Sequence, residues 1–127
     1  MTEKFMVFDT ETTNDIDCPI MYDFGFAIID KNGNVYRKGS FVVADVFLDD
    51  ELMESAFFAE KIPMYWEQIK SGERELKRLA TIRRIVLDTM KEFNIKIVMA
   101  HNTRFDYRST ATTQRYMTNS KYRYFFP

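Results

Sequence analysis

Residues 5–15 read FMVFDTETTND, an apolar run that passes directly into acidic and threonine residues. The apolar part, residues 5–9, predicts a short central strand. Asp9 and Glu11 stand at its end, and because they are two positions apart their side chains point to the same face. Moving a carboxylate out of water is costly unless a partner compensates its charge. We therefore expect either that the strand emerges into solvent at Asp9 or that a cation binds there.

The composition is that of one globular domain. The chain has 127 residues, 46% of them hydrophobic and 16% aromatic, which is enough for a core of its own. The formal net charge of −1 indicates no class of partner, but residues 101–127 hold five Arg and Lys and only one acidic residue. Cys18 is the single cysteine, so an internal disulfide is excluded. With no apolar stretch of membrane-spanning length and no signal peptide, we expect a cytoplasmic protein that does not contact a membrane.

The order of elements predicts an α/β domain over residues 1–127 with a mixed sheet. Residues 22–30 and 35–43 are rich in branched and aromatic residues and flank an Asn-Gly step, the signature of a tight hairpin. Together with residues 5–9 they predict a three-stranded antiparallel meander. Residues 95–100 predict a further buried strand, and because a helix feeds it, it should lie parallel to the first strand.

Helices are expected at three places. Residues 49–62 open with acids and stop before Pro63, and residues 71–94 form the most regular amphipathic pattern in the chain. A third helix is expected from Phe105 onward. The second helix should bury the residues that recur at three- and four-residue spacing, namely Leu76, Leu79, Ile82, Val86, Met90 and Phe93.

Asp106 is the third member of a predicted acidic site. It follows the strand over residues 95–100, and ligands of sheets with parallel strands gather beyond the carboxyl ends of those strands. Asp9, Glu11 and Asp106 should therefore converge. Two adjacent carboxylates repel each other, and a divalent cation removes the repulsion. Oxygen ligands of this kind suit Mg²⁺ or Mn²⁺ better than zinc.

Two motifs of this sequence resemble those of the DEDD superfamily of 3′→5′ exonucleases, the proofreading type with an RNase H-like fold. The first, Asp-x-Glu at the end of the opening strand, is matched by Asp9 and Glu11. The second, Asn-x-x-Phe-Asp after a later strand, is matched by residues 102–106. Within the superfamily the sequence is similar in particular to phage-encoded exonucleases.

The resemblance implies a chemistry and a set of roles. Two divalent ions would polarise the scissile phosphate and activate a water, held by Asp9, Glu11 and Asp106. Thr10, Thr12, Asn102 and Phe105 would contact the 3′-terminal nucleotide of single-stranded DNA or RNA. From the residues alone, Asn102 could equally shape a turn, and for Phe105 a place in the core is favoured over a substrate contact.

One motif of the family is missing. Relatives carry a Tyr or His followed four or five residues later by Asp, whereas no Asp or Glu occurs after Asp106 here. We therefore expect the chain to be the front part of a family domain, truncated at its C-terminal side and at best weakly active alone. The aromatic residues of the tail should then pack against the removed portion, and their exposure would favour self-association or a homodimer.

Two other interpretations remain open. A shortened chain of this fold could be a non-catalytic module that binds nucleic acid or a protein. A hydrolase of the RNase H or integrase kind fits less well, because it lacks the pairing of Asp-x-Glu with Asn-x-x-Phe-Asp. For His101, a structural role is favoured over a metal ligand.

Overall fold

The computed structural model describes residues 2–13, 19–54, 61–100, 103–117 and 125–126, with the side chains of 103–105, 107 and 115–117 left aside. The fold is a five-stranded open mixed sheet with helices. Its strands are β1 (Lys4–Thr13), β2 (Ile20–Asp30), β3 (Val35–Val43), β4 (Glu75–Lys77) and β5 (Val98–Ala100). The helices are α1 (Ala44–Phe47), α2 (Asp50–Met53), α3 (Ile62–Ser71), α4 (Leu79–Glu92) and α5 (Thr103–Met117).

The sheet confirms the predicted meander and the predicted parallel strand. The strands lie in the order β4-β3-β2-β1-β5. β1 pairs antiparallel with β2, and β2 pairs antiparallel with β3. β5 pairs parallel with β1, with Val7 opposite Met99. The predicted turn between β2 and β3 is present, and Gly33 has the positive φ of 82° that such a turn needs.

The helix boundaries differ from the predicted ones. Pro63 does not end a helix; it lies in the first turn of α3, where its missing N–H costs nothing. α4 begins at Leu79 rather than Ser71, because Gly72 closes α3 with φ of 86° and residues 75–77 pair with β3. Of the helix predicted over 49–62, the structure describes only α2, and residues 55–60 lie outside the described part.

The core is formed by the sheet together with buried residues of helices α1 to α4 and of the segment near the C-terminus. The stripe predicted for the second helix is largely correct, because Leu79, Ile82 and Val86 are fully buried. The prediction that the aromatic residues of the tail pack against a removed portion of the protein is wrong for the last two phenylalanines. Phe125 and Phe126 are buried in this chain's own core, with the Phe126 ring centroid 4.8 Å from that of Phe8.

None of the described helices has the length and apolar character that crossing a lipid bilayer demands.

The β2–β3 hairpin is locked by Asp30. Its carboxylate accepts hydrogen bonds from the Asn34 and Asn32 backbone N–H groups, the Asn34 side-chain amide and the Tyr36 hydroxyl. These donors stabilise the charged form, and they lower the pKa of Asp30 to about 2, with the Asn34 and Tyr36 side chains contributing most.

Asp30→Asn should therefore destabilise the protein in a pH-dependent way. A lowered pKa stabilises the fold above the ordinary pKa of aspartate, about 4, and the contribution disappears as the pH falls towards 2. Urea denaturation should show a larger difference between wild type and variant at pH 7 than at pH 2.5, and Tyr36→Phe should show a smaller difference of the same sign. The same pH trend in Asp88→Asn, an exposed site on α4, would contradict the assignment to Asp30.

Candidate active site

Asp9 and Glu11 lie side by side on one face of β1. The sequence had suggested that the strand ends at these carboxylates. In the structure it continues to Thr13, so both carboxylates lie within the strand. They stay in the strand because β2 pairs with this part of β1, placing Gly25 opposite Asp9 and Asp23 opposite Glu11. Asp9 is exposed and Glu11 half-buried, so the face that bears them opens to solvent. The Thr10 amide donates a hydrogen bond of 3.0 Å to Asp9 Oδ1 and restrains that carboxylate.

Asp23 is a third carboxylate on the same face, and sequence reasoning missed it. It is 7% exposed and lies directly across the β1–β2 pair from Glu11. The Tyr65 hydroxyl donates to Asp23 Oδ2 at 2.8 Å, and Arg74 Nη1 donates to Asp23 Oδ1 at 2.6 Å. Arg74 is held in turn by Gln68, whose Oε1 accepts from Arg74 Nε at 2.6 Å. An aspartate inside an otherwise apolar strand was the sequence signal that could have revealed it.

Negative charge accumulates at these three carboxylates. Burial, then the charges of Asp23 and Asp9, raise the pKa of Glu11, while Lys61 acts in the opposite direction. Burial also raises the pKa of Asp23, even though Arg74 and the hydrogen bond from Tyr65 favour its charged form. The charges of Asp9 and Asp23 thus act against the charged form of Glu11, and a bound cation would offset that repulsion.

A cavity of about 250 Å³ lies over the carboxylates. Residues of β1, β2 and β3 form its floor, and residues of α3, the residue just before it and the α3–β4 segment form its wall. Gly25 pairs with Asp9 and lines this floor without a side chain. The floor consists of Asp9, Thr10, Glu11, Asp23, Gly25 and Ser40, and the wall of Lys61, Met64, Tyr65 and Arg74.

Asp106 reaches the same end of β1, but it contacts Thr10. The Thr10 hydroxyl donates to Asp106 Oδ1 at 2.8 Å and lies 2.9 Å from Ser109 Oγ. Thr10 points to the opposite face of β1 from Asp9 and Glu11, since side chains alternate along a strand. Asp106 is 2% exposed in the first turn of α5, and its charge adds to the effects that raise the pKa of Glu11. It is thus an electrostatic neighbour of Glu11 that is anchored to Thr10 on the opposite face of β1.

The remaining predicted substrate residues are only partly described. Thr12 is 6% exposed and pairs with Met21, just after an irregularity in the register of β1 and β2. Asn102 and the side chain of Phe105 lie outside the described residues, as does His101.

The donor set suits a hard divalent cation held by two carboxylates. Within the described part of the chain, no three Asp, Glu, His or Cys side chains are arranged so that they could hold one metal ion together. Mg²⁺, however, is commonly bound by one or two carboxylates, with water and substrate phosphates as its other ligands. Asp9 and Glu11 provide such a pair, because both contribute oxygen ligands to one open cavity.

Comparison with protein-family models, with curated proteins and with solved structures finds no match to this chain.

Proposed function

We propose that this chain is an RNase H-like domain of the DEDD type, which acts on the 3′ ends of DNA or RNA as a divalent-metal-dependent 3′→5′ exonuclease. The observation that carries the proposal is the pairing of Asp9 with Glu11 on one face of β1, at the floor of an open cavity where burial, and then the charges of neighbouring carboxylates, raise the pKa of Glu11. The meander with a parallel fifth strand beside β1 is consistent with it.

The three carboxylates have two kinds of role in the proposed reaction. Mg²⁺ or Mn²⁺, when bound, would supply a Lewis acid for the phosphate and lower the pKa of a water. Asp9 and Glu11 would hold the cations by their oxygens. Asp106, on the other side of Thr10, would add negative charge and fix α5 against the strand that bears both ligands. Asn102 and Phe105 are the further residues we propose for the terminal nucleotide.

A second candidate is a non-catalytic binding module of the same fold. It is favoured by one observation, the position of Asp106, whose Oδ1 accepts a hydrogen bond from Thr10 on the face of β1 opposite to Asp9 and Glu11. Such a module would still bind a single-stranded 3′ end, or a protein, but would not cleave a phosphodiester bond.

One assay separates the two candidates. A 5′-labelled single-stranded oligonucleotide is incubated with the protein and Mn²⁺, and the products are resolved by length. An exonuclease should shorten the labelled oligonucleotide stepwise and release mononucleotides, and chelation of Mn²⁺ should stop this shortening. Tight binding of the oligonucleotide, with no shortening at any Mn²⁺ concentration, would instead establish the binding module.

A further inference from the structure

We propose that Gly25 determines which ligands the cavity over Asp9 and Glu11 admits, because its missing side chain leaves room for a metal-bound phosphate group to lie directly on the backbone of β2. This inference rests on the proposed function and adds a specificity-determining residue to it. Gly25 lies outside both sequence motifs and pairs with Asp9 across the β1–β2 ladder. It is also one of the residues that line the cavity.

The other three of the four glycines in the sequence are needed by the fold. Gly33 and Gly72 have positive φ, a conformation that other residues rarely adopt. Gly39 is needed for packing, because a Cβ atom there would lie 2.7 Å from Cε1 of Phe26 and 2.9 Å from Cε2 of Phe41. Each of these positions therefore has a structural reason to be glycine.

Gly25 has neither of these reasons. Its φ is not positive, and it lies inside a long strand, where glycine is less stable than a residue with a side chain. Among the described residues beyond its chain neighbours, the one atom within 4 Å of a Cβ atom placed at Gly25 is the Gly39 carbonyl oxygen. That distance is 3.8 Å, an ordinary van der Waals contact. A side chain at Gly25 would thus fit the fold and enter the space of the cavity, and a strand glycine of this kind marks a close approach of a ligand to the backbone.

The residues on either side of Gly25 indicate the class of ligand. Gly25 pairs with Asp9 of β1 and with Ser40 of β3, so the three residues form one row across the sheet. The backbones of Asp9 and Ser40 are two strand spacings apart, about 10 Å, and their side chains border the gap at Gly25. A carboxylate can bind a cation, and a hydroxyl can donate to an anion. A phosphate group that carries a divalent cation matches both borders, and the 3′-terminal phosphodiester of the proposed substrate has this chemistry.

The test combines calorimetric binding with thermal denaturation and needs no turnover. The probes are Mn²⁺ alone and thymidine 5′-monophosphate in saturating Mn²⁺. Gly25→Ala should weaken nucleotide binding about 10-fold and Gly25→Val about 100-fold, because each added carbon occupies space that the phosphate needs. Both variants should bind Mn²⁺ as wild type does, since the Asp9–Glu11 pair is unaltered. Their melting temperatures should equal or exceed that of wild type, because a side chain suits the strand better than glycine.

Two further variants serve as controls. Ala27→Val adds carbons to the same face of β2 at a residue that does not line the cavity, and it should leave both affinities unchanged. Gly39→Ala should lower the melting temperature, because its Cβ atom would press on the rings of Phe26 and Phe41.

Three results would overturn the role of Gly25 while the proposed function stands. They are a nucleotide affinity of Gly25→Val equal to that of wild type, an equal loss in Ala27→Val, and a melting temperature of Gly25→Ala as low as that of Gly39→Ala. Binding of Mn²⁺ to wild type without binding of the nucleotide would also overturn it, because the gap would then admit no phosphate. If wild type binds neither probe, the proposed function fails and this inference fails with it.

Discussion

Asp9→Asn should lower the rate of Mn²⁺-dependent nucleotide release by about 10³-fold or more, the scale of loss seen when one member of a catalytic unit is removed. The amide nearly preserves the shape of the side chain, but it removes the negative charge that a divalent cation requires. Asp9 is exposed on the floor of the cavity, so the substitution should leave the melting temperature almost unchanged. The rate is measured as shortening of a 5′-labelled oligonucleotide under single-turnover conditions.

Glu11→Gln should cause a loss of similar size, and the double variant should be little worse than either single one, because the two carboxylates act as a unit. Asp88→Asn, an exposed site on α4, is the control and should retain the wild-type rate. A rate for Asp9→Asn within a few fold of wild type would refute the assignment of this carboxylate to the reaction. It would leave the binding module as the better explanation.

Asp106→Asn separates a catalytic carboxylate from one that anchors α5. The Oδ1 atom of Asp106 accepts a hydrogen bond from the Thr10 hydroxyl, on the face of β1 opposite to Asp9 and Glu11. An asparagine oxygen can accept the same hydrogen bond. If Asp106 takes part in the reaction, the rate should fall far more than the stability. A fall in melting temperature with an unchanged rate would restrict Asp106 to its contact with Thr10.

Arg74→Met should destabilise the fold by about 3 kcal/mol, because it leaves the Asp23 carboxylate buried without its cation. The two side chains are 24% and 9% exposed and their atoms lie 2.6 Å apart, so solvent screens the pair little. Burial already raises the pKa of Asp23 despite Arg74, and losing Arg74 should raise it further. The free energy of unfolding, measured in urea, reports the change.

The pH dependence of the stability lost in Arg74→Met identifies the cause of the loss. An acid whose pKa is raised in the folded state destabilises the fold progressively as the pH rises through that pKa, and has no such effect below the ordinary value. The difference between wild type and Arg74→Met should therefore be largest at pH 7 and smaller at about pH 4. Adding Asp23→Asn to Arg74→Met should recover much of the lost stability, since the uncompensated charge is then gone.

Arg84→Met, on the exposed side of α4, is the matched control and should change stability by less than about 0.5 kcal/mol. An equal loss in Arg74→Met at pH 4 and pH 7, with no recovery in the double variant, would show that Arg74 acts through packing on Tyr65 and not through Asp23.

The helix predicted over residues 71–94 was correct in its buried residues and wrong in its start. Apolar residues at three- and four-residue spacing correctly predicted that Leu79, Ile82 and Val86 are buried. The same pattern extended the helix back to Ser71, because Leu76 continues the spacing. In the fold, Leu76 lies in β4 and pairs with Val42 of β3, a partner 34 positions away that no local pattern contains. Pairing with a distant strand overrode the local preference.

What the sequence alone determined is the set of features that arise from neighbouring residues. Alternation along a strand placed Asp9 and Glu11 on one face, and turn chemistry at Gly33 defined the β2–β3 hairpin. Tertiary structure alone decided that Asp23, Lys61 and Arg74 meet these carboxylates and that Asp106 reaches β1 by way of Thr10. Those positions depend on strand register and on the packing of α3 and α5, which many distant contacts set together, and charge and burial at the site follow from them.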